Sequence, residues 1–308
     1  MAVLRAEAEP IFCFNAGPTA SPTGAWTAMK IDAHQHFWDY TRHAADFVWM
    51  GEAEAPLRRD FGPMDLAPLL AQTGFDGSIA VQARALPQET DDLLGLAARH
   101  PTILGVVGWL DLCDPAIEPQ IEASAANPLL KGLRMLIHDQ PDIAFADSPA
   151  HLRGVALLQR HGLSYDLLLR PQHLGAAIRL VDALPQQAFV VDHLAKPVLD
   201  AVPDPLWRQG IREIARRPNV FCKLSGLPTL APAGPCTLAR CAPCLDAVLD
   251  AFGAARCMVG SDWPVSTLGA DYPAAMGLVT QWCQALSASE QADILGGTCA
   301  CFYRVAAR

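Results

Sequence analysis

Several things are scarce in this 308-residue chain, and each scarcity removes a class of function. No apolar run reaches the roughly 18 residues that a membrane-spanning helix needs. No Lys/Arg-rich block offsets the net charge of −9. Nucleic acid and anionic membrane surfaces are poor partners for such a chain, because both are held through dense positive charge. Paired C-x-x-C knuckles are missing too: "CTLARCAPC" offers Cys236, Cys241 and Cys244 with no matching second pair, which disfavours structural zinc there. Cys13, Cys113, Cys222, Cys257 and Cys283 stand alone. A chain of this size needs no covalent staples, so reduced, mostly buried thiols in a cytoplasmic protein are expected. No G-x-G-x-x-G follows the first apolar run, which weakens an open dinucleotide-binding sheet, and no feature calls for an organic cofactor.

What remains is plentiful Ala and Leu, 51% hydrophobic residues and only 7% aromatics, a composition suited to helices packed on a sheet. Residues 1–28 are rich in Ala, Pro, Gly, Ser and Thr, and Glu7, Glu9 and Pro10 break the only stretch resembling a signal peptide. This segment is expected to be a loosely ordered extension, with one domain over 29–308. From Lys30 onward short apolar runs alternate with amphipathic ones. The predicted strands are 30–34, 77–83, 103–111, 130–137, 163–169, 187–193, 220–226 and 257–263. They are near-continuously Val, Ile and Leu, as strands covered on both faces should be. The predicted helices include 64–74, 89–101, 149–162, 171–185, 205–218 and 244–253, several opening after Pro or an acidic residue. Eight such units describe an α/β fold, a single (β/α)8 TIM-type barrel.

Active sites of such barrels lie at the C-terminal ends of the strands. "MKIDAHQHFWDY" ends the first strand in His34 and His36, which share a face with Asp32 because side chains alternate along a strand. Strand four carries Arg134 and runs on to His138, strand five carries Asp166, and strand six ends in "DHLAKP" with His193 and Lys196. Strand seven carries Lys223 and Ser225, and strand eight ends in "GSDWP" with Asp262. Taken singly, each is an ordinary strand-end or turn residue. Together, three histidines and an aspartate at one barrel end are costly to bury unless they meet a charge or a metal. Imidazoles and a carboxylate suit Zn²⁺ or a similar cation, which would polarise a carbonyl. Without metal, Asp262 still serves as a general base, with His and Arg/Lys groups stabilising an oxyanion. Either way the chemistry is attack of water on an ester or amide carbonyl.

These motifs (H-x-H, D-H-x-x-K-P, C-K-L-S-G and G-S-D-W-P) resemble the amidohydrolase superfamily. With "HQHFWDY", "VQARA", "GWLDL", "KGLRMLIHD" and "GGTCACFY", the chain resembles its amidohydrolase-related branch over about residues 30 to 303. That branch contains sugar lactonases. The resemblance implies that His34, His36 and His193 are metal-binding histidines and that Asp262 deprotonates the attacking water. It also implies substrate contacts from Gln82, Arg84 and Arg134, and we add His138, Lys196 and Trp109 as candidates. Trp38, Trp49 and Trp109 are each either walls for a sugar ring or core. Strand five reads "SYDLLL", with Asp166 where many superfamily members carry a histidine or bridging lysine. This departure argues against a binuclear site and leaves one divalent cation, held by His34, His36, His193 and Asp262, or none. The implied activity is opening of a sugar-derived lactone, an aldonolactone such as L-fucono- or L-rhamnono-lactone. Alternatives on the same barrel are a muconolactone-type hydrolase, a metal-dependent decarboxylase that should need the strand-five histidine, and a catalytically dead binding barrel. The sequence leaves the oligomeric state and the particular lactone open.

Overall fold

The computed structural model describes residues 29–199, 202–231 and 234–305; the expected extension over 1–28 lies outside them. Eight parallel strands run in chain order around one sheet, β1 (Ile31–Gln35), β2 (Gly77–Val81), β3 (Ile103–Gly108), β4 (Leu130–Met135), β5 (Ser164–Leu167), β6 (Phe189–Val191), β7 (Val220–Leu224) and β8 (Cys257–Val259). The seam between β8 and β1 is closed just past the strands. Asp262 N donates to His34 O at 2.8 Å and His36 N donates to Trp263 O at 2.7 Å. Gly260 permits this closure, since a Cβ there would lie 2.8 Å from His34 Cβ.

One longer helix follows each strand. These are α1 (Pro63–Thr73), α2 (Pro87–Arg99), α3 (Glu118–Ala125), α4 (Pro149–Leu158), α5 (Leu174–Ala183), α6 (Pro205–Ile214), α7 (Leu238–Phe252) and α8 (Tyr272–Cys283). Pro63, Pro87, Pro149 and Pro205 open their helices, where the missing N–H costs nothing. The sequence places α7 at 244–253, but it starts at Leu238 and carries Pro243 inside it. The proline was a misleading start signal because burial of Cys241, Cys244 and Leu245 on one face holds the earlier turn in the helix. Apart from the first, the predicted strands overrun at their C-terminal ends by two to four residues, mostly where the chain turns into the mouth.

The larger core lies between sheet and helices. A smaller cluster fills the barrel interior, where Ile31, Ile79, Val190 and Met258 meet Cys299, Phe302 and Tyr303 from the C-terminal segment. That segment seats at the start of β1: a Cβ on Gly296 would collide with Met29 O. Eight cysteines (113, 222, 236, 241, 244, 257, 283 and 299) are free thiols, whereas Cys301 is disulfide-bonded, which corrects the uniformly reduced expectation. Among the described residues no helix is long and apolar enough to cross a membrane.

Candidate active site

The shared face expected for Asp32, His34 and His36 does not survive, because the register of β1 against β2 shifts between Asp32 and Gln35. His34 and His36 meet at the mouth, whereas Asp32 lies opposite Ser78 and bonds Ser261 and Tyr272; all three are buried. His36 Nδ1 lies 2.8 Å from Val81 O, a pure acceptor, so Nδ1 carries a proton while Nε2 faces the mouth. Asp262 Oδ1 is 3.2 Å from His36 Nε2 and 3.8 Å from Nε2 of both His34 and His193. His34 Nε2 is itself 3.2 Å from His36 Nε2. Four residues from three distant stretches of the sequence thus converge on one point at the C-terminal mouth of the barrel.

Unusual backbone holds this convergence. His193, Leu194, Ala195 and Lys196 form a left-handed turn with φ of 51°, 55°, 58° and 52°, and Asp262 has φ of 60°. Left-handed conformation costs roughly 1–2 kcal/mol for each non-glycine residue, so surrounding contacts must impose it. Trp207 Nε1 donates to Leu194 O at 2.7 Å, and Lys196 N donates to His193 O at 2.7 Å. Gly226, at φ of 69°, supplies the floor: a Cβ there would sit 2.8 Å from His193 Nδ1 and 3.3 Å from Asp262 Oδ2. Ser225 Oγ, 2.8 Å from His193 Nδ1, fixes that ring. Ser261 and Tyr272 hold Asp32 behind the site, with Ser261 Oγ donating at 2.6 Å. Burial nevertheless raises the Asp32 carboxyl to about 6.

Electrostatics set the protonation pattern. Burial lowers His193 to about 4 and, together with Lys223, holds His34 well below the usual imidazole range, so both rings are neutral at pH 7. Burial alone would raise Asp262, but the rings of His193, His36 and His34 outweigh it and hold the carboxyl well below its ordinary value. The site therefore offers an ionised carboxylate beside the neutral rings of His34 and His193. His34, His193 and Asp262 each present a ligand atom, all within 4.8 Å of one another. Small side-chain shifts bring such atoms to the ~2.0–2.2 Å bonds of a first-row cation. These donors fit a divalent metal, with His36 beside the triple rather than in it.

Behind His34 lies a second, charged cluster. Lys223 Nζ is 2.5 Å from Asp166 Oδ2, 3.1 Å from Asp192 Oδ1 and 3.1 Å from His34 Nδ1. Asp192 also faces His34 Nδ1 at 3.3 Å and Arg134 Nη1 at 3.1 Å. Tyr303 Oη donates to Asp166 at 2.8 Å, which gives the C-terminal segment a role beneath the site. Asp192 was not singled out from the sequence, although its place beside His193 in "DHLAKP" was the available signal. Burial opposes its charge, but Lys223, His34 and Arg134 prevail and hold it well below the usual carboxylate range. Lys223 is the converse, raised by Asp166 and Asp192 against a burial penalty.

The expected substrate contacts divide. Arg84 turns away: its guanidinium is taken by Glu89, by Asp46 at 3.1 Å and by Asp92 at 2.7 Å. Gln82 and Arg134 sit deep, with Arg134 Nη2 donating to Gln82 O and Oε1 and Gln82 Nε2 donating to Arg134 O. Trp109 is half-buried, its amide and carbonyl both engaged by Thr90 Oγ1. Trp38 belongs to the core, with Nε1 donating to Arg59 O at 2.9 Å and rings of Phe47 and Phe61 around it. Trp49 is partly exposed and packs edge-on against Trp38. His138 pairs with Asp139 through Nε2 at 3.1 Å, while its buried Nδ1 has no partner among the described residues. Lys196 is half-buried at the mouth, and burial lowers it to about 8 against the pull of Asp262. His138 and Lys196 thus retain polar groups for a ligand, whereas Arg84 does not.

A (β/α)8 barrel with histidines from β1 and β6 and an aspartate after β8 is the architecture of a metal-assisted or carboxylate-assisted hydrolase. The chain belongs to the amidohydrolase family, whose profile matches residues 31–305. It is 41% identical over 287 residues to an L-fucono-1,5-lactonase from Burkholderia multivorans, covering 90% of this chain and 96% of that protein. A Burkholderia ambifaria L-fucono-1,5-lactonase is 37% identical over 281 residues, with the same coverage. The crystal structure of a B. multivorans amidohydrolase with bound zinc superposes with a TM-score of 0.85 at 40% identity, covering 90% of this chain and 100% of that one.

Proposed function

We propose that this protein is a hydrolase that opens a sugar-derived lactone, an aldonolactone of the L-fucono- or L-rhamnono- type, by attack of water on the ring ester carbonyl. The observation that carries the reading is Asp262. It is an ionised carboxylate at the barrel mouth with three imidazole Nε2 atoms within 3.8 Å of one oxygen. The similarity to proteins named L-fucono-1,5-lactonase supports the substrate class.

In this mechanism Asp262 accepts a proton from water as its oxygen bonds to the carbonyl carbon. His34, His36 and His193 surround that carboxylate, and Ser225 fixes the His193 ring. Negative charge develops on the carbonyl oxygen and then on the departing ring oxygen, which takes back the proton held by Asp262 to become a free hydroxyl, and the aldonic acid product ionises in solvent. Lys196 and His138 stand at the mouth to stabilise that charge and bind sugar hydroxyls. A divalent metal, zinc or similar, would be held by His34, His193 and Asp262 with His36 adjacent, and would polarise the carbonyl as a Lewis acid. Acid release from a panel of aldonolactones, followed with a pH indicator, tests the reading. Turnover of L-fucono-1,5-lactone or a close relative is expected, and absence of turnover across the panel would refute it.

A further inference from the structure

Every neutral imidazole has one protonated nitrogen, and a histidine can ligate a metal only through the other. His36 and His193 are compatible with inward-facing Nε2 lone pairs, because Val81 O accepts from His36 Nδ1 and Ser225 Oγ accommodates His193 Nδ1. His34 is different. Asp192 Oδ1, 3.3 Å from its Nδ1, favours a proton there and hence a ligating Nε2. Arg134 Nη1, 3.2 Å from Nε2, also calls for the proton on Nδ1, but it donates into the Nε2 lone pair that a metal would use. Lys223 opposes that proton. Its ammonium has three hydrogens, donating to Asp166 Oδ2 and facing His34 Nδ1 and Asp192 Oδ1 at 3.1 Å each, the Asp192 contact being an ion pair without a hydrogen bond. A proton on His34 Nδ1 leaves the third ammonium hydrogen facing an N–H. A donor bond from Lys223 to Nδ1 instead places the proton on Nε2, where it can donate to His36 Nε2 at 3.2 Å and cannot ligate.

We propose that Lys223 is a positioning residue that weakens divalent-cation binding at the mouth, by donating to His34 Nδ1 and by placing a positive charge behind a candidate ligand. Asp192 acts in the opposite sense. The inference rests on the reading of His34, His193 and Asp262 as the cation site. It says more than that reading, because a lysine against the distal nitrogen replaces the carboxylate or carbonyl that usually supports a ligating histidine. The contest between Lys223 and Asp192 sets the protein's metal affinity, whatever its substrate.

The test is zinc affinity of the full chain, measured by competition with a chromophoric chelator after stripping. Lys223→Met is expected to bind zinc at least tenfold more tightly than the wild type, and Asp192→Asn about ten- to a hundredfold more weakly. Because removing Lys223 leaves two buried carboxylates, Lys223→Met/Asp166→Asn is measured alongside, and the same tightening is expected. Wild-type or weaker affinity in the folded variant, or no zinc binding by any of these proteins, would overturn the proposal. Lactone turnover by the wild type is assayed separately, both chelator-treated and reloaded with zinc. Turnover in either form with no tightening defeats this inference alone, and tightening with no turnover in either form defeats the lactonase reading alone.

Discussion

Two buried polar clusters meet at His34, and they differ in how their charges are balanced. The rear cluster sets two cations, Lys223 and Arg134, against two carboxylates, Asp166 and Asp192, with contacts of 2.5–3.1 Å. It is internally neutral and tightly closed. The mouth cluster sets a single carboxylate, Asp262, among three imidazoles whose Nε2 atoms converge, with the Arg134 guanidinium reaching only His34. One is a finished ionic lattice and the other a set of acceptors. The difference separates a structural device from a chemical one: the first holds His34 still, and the second is open to water, substrate or metal.

The comparison breaks most severely where the rear cluster loses its cation. Lys223→Met should destabilise the fold by about 3–5 kcal/mol, the cost of stranding buried charge. Lys223→Met/Asp166→Asn should recover part of the loss, because the neutral amide at position 166 keeps the Tyr303 hydroxyl as a partner. Urea midpoints of both variants check this. At the mouth, Gly226→Ala attacks geometry rather than charge. A Cβ 2.8 Å from His193 Nδ1 on a left-handed backbone should cost about 1–3 kcal/mol of stability and lower kcat, with Ser225→Ala the milder companion. Denaturation and turnover of the two variants should rank in that order.

His151 sharpens the contrast as a buried imidazole outside both clusters, held between Ala146 O and Tyr165 Oη at 2.7 Å each. Burial lowers its pKa below the ordinary 6.5. Its contribution to stability is complete above pH 6.5 and declines as pH falls from 6.5 towards the folded-state value, by at most about 1.4 kcal/mol per pH unit. Unfolding of the wild type and His151→Gln at pH 7.5 and 5.5 should show the smaller acid loss in the variant.

Much of the mouth was legible in the sequence, and little of the rear. His34, His36, His193 and Asp262 announce themselves because a barrel puts function at strand ends, and apolar periodicity marks those ends. Arg84 misled because β2 stops at Val81, so strand alternation no longer governs where residue 84 points. The left-handed turn at 193–196 is invisible in "HLAK", which lacks glycine or asparagine; tertiary contacts such as the Trp207 bond to Leu194 O impose it. The Asp166–Lys223–Asp192 lattice joins β5, β7 and the turn after β6 through side chains, and no local pattern states which lysine meets which carboxylate.

Asp262→Asn tests the central claim most directly. It keeps the size of the side chain and its place among the histidines while removing the carboxylate that accepts the proton. In a folded variant with wild-type thermal stability, kcat/KM for L-fucono-1,5-lactone should fall by about 10²–10⁴-fold. Wild-type turnover by that variant would contradict the assignment of Asp262 as the base.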